Sequence, residues 1–121
     1  MLNAGAFGEQ YAAEYLAANG YSIVCRNYRC KFGEIDIVAQ TSDILAFIEV
    51  KTRSGNLLYS PREAVGRTKM RRLTLAAECF VLENPLPLQP RFDVIEIVLI
   101  DKNTLSVLSY NHIVNAFDAV N

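Results

Sequence analysis

Three charged side chains, Asp36, Glu49 and Lys51, stand at a spacing that could build a metal-assisted hydrolytic site. Asp36 ends the motif Gly33-Glu34-Ile35-Asp36, and Glu49-Val50-Lys51 begins thirteen residues after it. Two carboxylates, completed by a backbone carbonyl and waters, are the oxygen ligands that suit Mg²⁺ or Mn²⁺. Such an ion polarises a phosphate, neutralises developing charge and supplies hydroxide near neutral pH. The pattern therefore indicates attack of water on a phosphate, with Lys51 orienting the water or stabilising charge on the phosphate.

The two acids must lie on neighbouring strands for this chemistry to be possible. Because side chains alternate along a strand, Glu34 and Asp36 share one face, as do Phe47, Glu49 and Lys51. With an even number of residues in the connecting loop, we expect Asp36 to oppose Phe47 and Glu34 to oppose Glu49. Asp36 and Glu49 then become diagonal neighbours, with Cα atoms roughly 7–8 Å apart. An odd loop would put them on opposite faces. The alternative reading is a surface hairpin whose acids and lysine only face water.

A third acid, Glu9, lies on the first predicted helix and adds to this pattern. It shares a stripe with Ala12, Ala13 and Leu16, at helical spacings of three, four and seven. The stripe should face the sheet, so Glu9 is expected to point inward beside Asp36 and Glu49. The alternative is that Glu9 only complements the positive end of the helix dipole.

The elements that position these residues follow from periodicity and from turn residues. In chain order we predict a helix over 5–19, strands over 21–29, 34–39 and 45–51, a helix from 60 toward 82, strands over 91–100 and 105–110, and a short helix over 116–120. Residues 40–43 form the turn between the second and third strands. Ser60 caps the long helix, and Gly66 is a point where it could break. The order predicts one α/β domain over residues 1–121, a central mixed sheet flanked by helices.

Composition agrees with a single globular domain of reduced, cytoplasmic type. The chain has 121 residues, of which 51% are hydrophobic and 21% charged. No apolar run approaches the roughly 20 residues of a membrane span, and no secretory signal pattern begins the chain. Three cysteines cannot all pair within one chain, so we expect free thiols and a cytoplasmic location.

The net charge of -1 hides a basic middle third, because residues 26–72 hold ten bases against five acids. A basic patch of this kind could contact phosphates, which positions a nucleic acid without reading its sequence. The residues that we expect to make such contacts are Arg26, Arg29, Arg53, Lys69 and Arg72. Lys69 and Arg72 are three apart and share one helix face. A basic helix face that is simply solvated remains the alternative.

These motifs, taken in order, resemble a known family. The matching segments are Gly8-Glu9, Gly20-Tyr21, Arg26-Asn27-Tyr28-Arg29, Gly33-Glu34-Ile35-Asp36, Phe47-Ile48-Glu49-Val50-Lys51-Thr52-Arg53, Lys69, Arg91-Phe92-Asp93-Val94 and Asn115-Ala116-Phe117. Together they resemble the YraN-like family of small bacterial proteins. That family in turn resembles the PD-(D/E)xK superfamily, whose restriction-endonuclease-like core is α-β-β-β-α-β. It is also similar to the archaeal Holliday-junction resolvases.

The resemblance implies a role for each candidate residue. Asp36 matches the first acid of the superfamily motif, Glu49 the second and Lys51 its lysine. Glu9 matches an acid that the resolvases carry on their first helix. Ile35 departs from the proline of the motif, a common variation. The implied metal ligands are Asp36, Glu49 and Glu9.

The implied activity is Mg²⁺- or Mn²⁺-dependent hydrolysis of DNA, which could be branched or otherwise structured. The resemblance also implies a homodimer. Two other functions remain open from the sequence. One is a nucleic-acid-binding module that keeps the fold without turnover. The other is an interaction protein whose acids form only a structural polar network. For Asp93, a structural pairing with Arg91 is at least as compatible with the pattern as a catalytic role.

Overall fold

The computed structural model describes residues 3–54, 65–101 and 103–120. In chain order its elements are α1 (Ala4–Ala18), β1 (Ser22–Cys30), β2 (Gly33–Thr41), β3 (Ile44–Ser54), α2 (Arg67–Glu83), β4 (Gln89–Leu99) and β5 (Val107–Phe117). The five strands form one sheet in the order β1-β2-β3-β4-β5. β3 and β4 are parallel and are connected through α2, whereas the other neighbours are antiparallel. The predicted α/β class, with its mixed sheet and α-β-β-β-α-β core, is confirmed.

The two helices bury opposite faces of the sheet. Ala12, Ala13 and Leu16 of α1 pack with Ile37 and Ile48 in one core cluster. On the other face, α2 contributes a second cluster that includes Leu73, Ala76, Phe80 and Phe47. Phe47 and Glu49 are two residues apart on β3, so Glu49 follows Phe47 on the α2 side of the sheet. The candidate acids are therefore expected beside α2.

The register between β2 and β3 differs by two residues from the predicted one. Thr41 pairs with Ile44 and Ile37 pairs with Ile48, so the turn is only Ser42-Asp43. Ser42 adopts the left-handed conformation, with φ of +52°, which lets the strands pair up to the turn. The loop is even, as predicted, and the acids stay on one face. The paired register ends at Ile37 and Ile48, and Asp36 and Glu49 are the next residue on each strand.

The second predicted helix is only partly within the described residues. Its predicted start at Ser60 lies outside them, and α2 begins at Arg67 with Gly66 as its N-cap. A helix boundary at Gly66 agrees with the predicted break. α2 ends at Glu83, and the following Asn84-Pro85 prevents its continuation.

The predicted short helix over 116–120 is wrong, because β5 extends to Phe117. Phe117 pairs with Phe92 of β4, and their rings stack with centroids 4.9 Å apart. Asn115 takes a left-handed φ of +55°, and its N–H donates to the buried carboxylate of Asp93. These long-range contacts outweigh the weak helical preference of the segment. Within the described residues, no helix is long and apolar enough to cross a membrane.

Candidate active site

Asp36 and Glu49 lie on adjacent strands, as the sequence predicts, and line one cavity with residues of α2. The side chain of Glu49 is only 7% exposed. The Asp36 carboxylate is partly buried, and its Oδ2 accepts a hydrogen bond of 2.8 Å from the N–H of Val50, the residue after Glu49. This bond ties Asp36 to the backbone of the strand that carries Glu49. The two acids are thus held together by the sheet itself.

Two lysines bring their ammonium groups to one oxygen of Glu49. Lys51 Nζ lies 3.4 Å from Glu49 Oε1, and Lys69 Nζ lies 3.2 Å from the same atom. Lys51 comes from β3, as predicted, and its side chain is 20% exposed. Lys69 comes from the first turn of α2 and was expected only as a phosphate contact. The structure therefore places a second lysine at the acidic site.

The site opens into a polar cavity between β2, β3 and α2. Its volume is about 220 Å³, and it is lined by Gly33, Glu34, Asp36, Glu49, Lys69, Arg72 and Leu73. A larger, mostly apolar cavity of about 500 Å³ lies elsewhere along α2. The smaller cavity is the candidate site because Asp36, whose pKa is perturbed, and the ion-paired Glu49 both line it.

The pKa of Asp36 is raised from its ordinary value near 3.8 to about 7. Burial is the largest cause, and the negative charges of Glu49 and Glu9 contribute to the same rise. The hydrogen bond from Val50 and the charge of Lys69 oppose the rise without cancelling it. Asp36 is thus a carboxyl group that binds its proton near neutral pH unless a cation stabilises its charged form.

Glu9 is close enough to influence Asp36, and a single amide connects it to the site. The side-chain nitrogen of Asn27, oriented to satisfy its neighbours, donates to Glu9 Oε1 at 2.9 Å and to Glu34 Oε1 at 3.2 Å. Asn27 has a φ of +52°, a conformation that asparagine tolerates. Gly8 allows this approach of α1, because a Cβ at that position would overlap Oγ1 of Thr52 on β3.

The donor set suits a divalent cation that keeps much of its hydration. Across residues 3–54, 65–101 and 103–120, no three acidic, histidine or cysteine side chains converge closely enough to hold a metal ion. Mg²⁺ is commonly held by one or two carboxylates, with waters and substrate phosphates supplying the other ligands. Asp36 and Glu49 fit that demand, and the gathering of two ammonium groups at Glu49 shows that the site attracts positive charge.

The predicted basic residues lie in three different places. Lys69 and Arg72 line the candidate cavity, so they share a face as expected. Arg26 and Arg29 are exposed on β1, where Arg26 donates to Gln10 at 2.9 Å and Arg29 pairs with Glu34 at 3.2 Å. Arg53 lies on β3. Burial raises the pKa of Glu96, and the charge of Arg53 partly offsets this rise.

A second polar cluster, which we call the Asp93 network, lies toward α1. The buried Asp93 carboxylate accepts two hydrogen bonds from Arg91, at 2.9 and 2.8 Å. His112 Nε2 lies 2.8 Å from Asp93 Oδ2, and its Nδ1 lies 3.3 Å from the Tyr15 hydroxyl. Although burial opposes it, hydrogen bonding from His112, Arg91 and Asn115 lowers the pKa of Asp93.

The expected pairing of Arg91 with Asp93 is present. Its sequence signals are the alternation of the two residues and the Arg91-Phe92-Asp93-Val94 motif. His112 gives none, because β5 brings it to Asp93 from nineteen residues away.

The part of the chain that forms the candidate site matches a known protein family. The profile of a family described as "Uncharacterised protein family UPF0102" matches residues 8–97. The chain belongs to the UPF0102 family. The matched range begins beside Glu9 and ends within β4, so it includes both candidate acids and both site lysines.

Bacterial UPF0102 proteins are similar to this chain over nearly its whole length. A UPF0102 protein of Clostridium botulinum strain 657 is 44% identical over 116 residues, covering 93% of this chain and 92% of its own. One from Caldanaerobacter subterraneus subsp. tengcongensis is 40% identical over 114 residues, covering 93% of each chain. One from Caldicellulosiruptor saccharolyticus is 44% identical over 114 residues, covering 93% of this chain and 95% of its own. These names specify the family and no activity.

Proposed function

We propose that this UPF0102 protein is a metal-dependent nuclease that hydrolyses phosphodiester bonds of DNA. The observation that carries the proposal is that Asp36, Glu49 and Lys69 line one polar cavity, with Lys51 Nζ 3.4 Å from Glu49. A site serving only stability would gain little from the pair of acids, because two carboxylates about 4 Å apart repel by roughly 1–4 kcal/mol. The raised pKa of Asp36 reflects this repulsion as well as burial.

Asp36 and Glu49 are the proposed ligands of Mg²⁺ or Mn²⁺. When bound there, the ion would supply charge neutralisation at the phosphate and activation of water. Asp36 must lose its proton to serve as a ligand, which the charge of a cation favours. Glu9 contributes a further negative charge beside Asp36, as an additional ligand or as a neighbouring acid.

The two lysines have different proposed tasks. Lys51 is held against Glu49 and is mostly buried, which suits a group that orients water or stabilises charge at the reacting phosphate. Lys69 is 45% exposed and lies at the cavity with Arg72, which suits contact with neighbouring phosphates. Arg26, Arg29 and Arg53 would extend the phosphate contacts outward from the site.

DNA is the proposed partner, and the protein would recognise its phosphate backbone and its shape. Lysine and arginine contacts to phosphates position a duplex without specifying a sequence. Branched or structured DNA would offer such a site a distinctive arrangement of phosphates. We also propose a cytoplasmic location, which agrees with the unbridged thiols of Cys25, Cys30 and Cys79.

Cleavage of end-labelled DNA tests the nuclease directly. Duplex, single-stranded, flap and four-way-junction substrates would be incubated with Mg²⁺, Mn²⁺ or EDTA. We expect metal-dependent cutting that Asp36→Asn and Lys51→Ala each abolish. Asp43→Asn, in the exposed turn between β2 and β3, is the matched control and should cut like the wild type. Cutting that persists in Asp36→Asn would contradict the proposal.

A nucleic-acid-binding module without turnover is the second candidate. It is favoured by the ion pairs of Glu49, since the ammonium groups of Lys51 and Lys69 already satisfy one oxygen of this acid. This module would bind DNA equally in EDTA and in Mg²⁺ and cut none of the substrates. Lys69→Ala would weaken its binding, whereas Asp36→Asn would leave binding unchanged.

A further inference from the structure

β5 forms one edge of the sheet and is long for an edge strand. It spans Val107–Phe117 and pairs with β4 on one side only. Within the described residues, no strand pairs with its other side. An edge of this kind presents unpaired N–H and C=O groups that can pair with another chain.

The sequence of β5 lacks the charges that usually protect an edge. Over its eleven residues it contains no Asp, Glu, Lys or Arg. The opposite edge, β1, carries exposed Arg26 and Arg29, the kind of charge that discourages edge-to-edge pairing. The two edges of one sheet therefore differ, and only β5 could pair with an identical strand without like-charge repulsion.

Apolar and aromatic side chains are exposed along the same strand. Leu108 is 65% exposed, Tyr110 49% and Val114 49%. The ring of Tyr110 lies 5.8 Å from that of Tyr11 and 5.1 Å from that of Tyr15, both on α1. The aromatic surface of α1 thus continues onto β5. Tyrosine-rich, charge-poor surfaces are typical of the centres of protein interfaces.

We propose that β5 and the adjoining tyrosines of α1 form the interface of a homodimer, in which the β5 strands of two copies pair antiparallel across a two-fold axis. A second copy is the occupant that the charges favour, because an uncharged strand is complementary to itself and a two-fold interface presents the same patch from both sides. The sheet would then continue from one protomer into its partner. This interface lies at the opposite edge of the sheet from β1 and its arginines.

Light scattering coupled to size-exclusion chromatography tests the interface without any assay of cleavage. The wild type should have twice the 13.5 kDa mass of one chain. Leu108→Lys places two like charges in the interface and should raise the dissociation constant at least about tenfold. Val24→Lys is the matched control, because Val24 is 42% exposed on β1 and should leave the dimer intact.

Hydrogen exchange gives an independent measurement on the unmodified chain. We expect the β5 amides to exchange more slowly in concentrated than in dilute wild-type protein, with β1 amides unchanged. Circular dichroism of Leu108→Lys checks that the variant keeps its fold. A wild type of 13.5 kDa at every concentration, or a dimer weakened by Val24→Lys and not by Leu108→Lys, would overturn the proposal. A wild-type protein that is dimeric but cuts no DNA would refute the proposed nuclease and leave the proposed interface unaffected.

Discussion

Replacing Asp36 by asparagine should stabilise the fold at neutral and alkaline pH. Asparagine resembles the protonated acid in shape, and its side-chain oxygen can still accept the hydrogen bond of Val50. It removes the charge that burial, Glu49 and Glu9 all disfavour. The substitution therefore relieves a cost that the wild type carries at its candidate site.

The size and sign of this effect follow from the pKa of Asp36. In the folded protein this pKa is raised to about 7, against about 3.8 when the chain is unfolded. Between these values the folded state binds more protons, so the stability contribution of Asp36 falls as pH rises from about 4 to about 7 and is level above. A pKa difference of about three, at about 1.4 kcal/mol per pKa unit, sets an upper limit of about 4 kcal/mol.

Urea unfolding of wild type and Asp36→Asn at several pH values checks this reasoning. We expect the variant to be more stable by about 2–4 kcal/mol above pH 7 and nearly equal to the wild type near pH 4. Asp43→Asn, in the exposed turn, should change stability by less than about 0.5 kcal/mol at either pH. An Asp36→Asn variant that is less stable than the wild type at pH 8 would refute the account of Asp36 as a disfavoured charge.

Further predictions concern the surroundings of the site. Asp93→Asn should cost about 3–5 kcal/mol at neutral pH, because it leaves Arg91 without its carboxylate. Since the folded pKa of Asp93 is lowered, this loss should shrink as pH falls below the ordinary carboxyl range, as urea unfolding would show. Gly8→Ala should destabilise by about 1–3 kcal/mol through overlap with Thr52, and a Thr52→Ala background should remove most of that cost in thermal unfolding. Undiminished destabilisation by Gly8→Ala in that background would argue against this contact.

The sequence could predict the shared face of Asp36 and Glu49, because alternation and an even turn are local properties. The two-residue difference in register could not be predicted, since it depends on the short turn in which Ser42 takes a left-handed conformation. The approach of Lys69 to Glu49 depends on the packing of α2 against the sheet. Local sequence preference also did not predict that the last residues of β5 form a strand, because that strand depends on pairing with β4.

His112 illustrates the same limit for function. It lies close to Asp93 only because β5 returns beside β4, and its neighbours in the sequence give no sign of a polar cluster. The family resemblance predicted the candidate site through motifs within β2 and β3. The matching segments also include Arg91, Asp93 and Asn115 of the Asp93 network, but His112 lies outside them.

Binding of Mn²⁺ tests most directly whether Asp36 and Glu49 form a cation site. Electron paramagnetic resonance would follow free Mn²⁺ as the full chain is added, for wild type, Asp36→Asn and the control Asp43→Asn. We predict that wild type and Asp43→Asn bind the ion above pH 7 and that Asp36→Asn does not. Failure of the wild type to bind Mn²⁺, or equal binding by Asp36→Asn, would contradict the account.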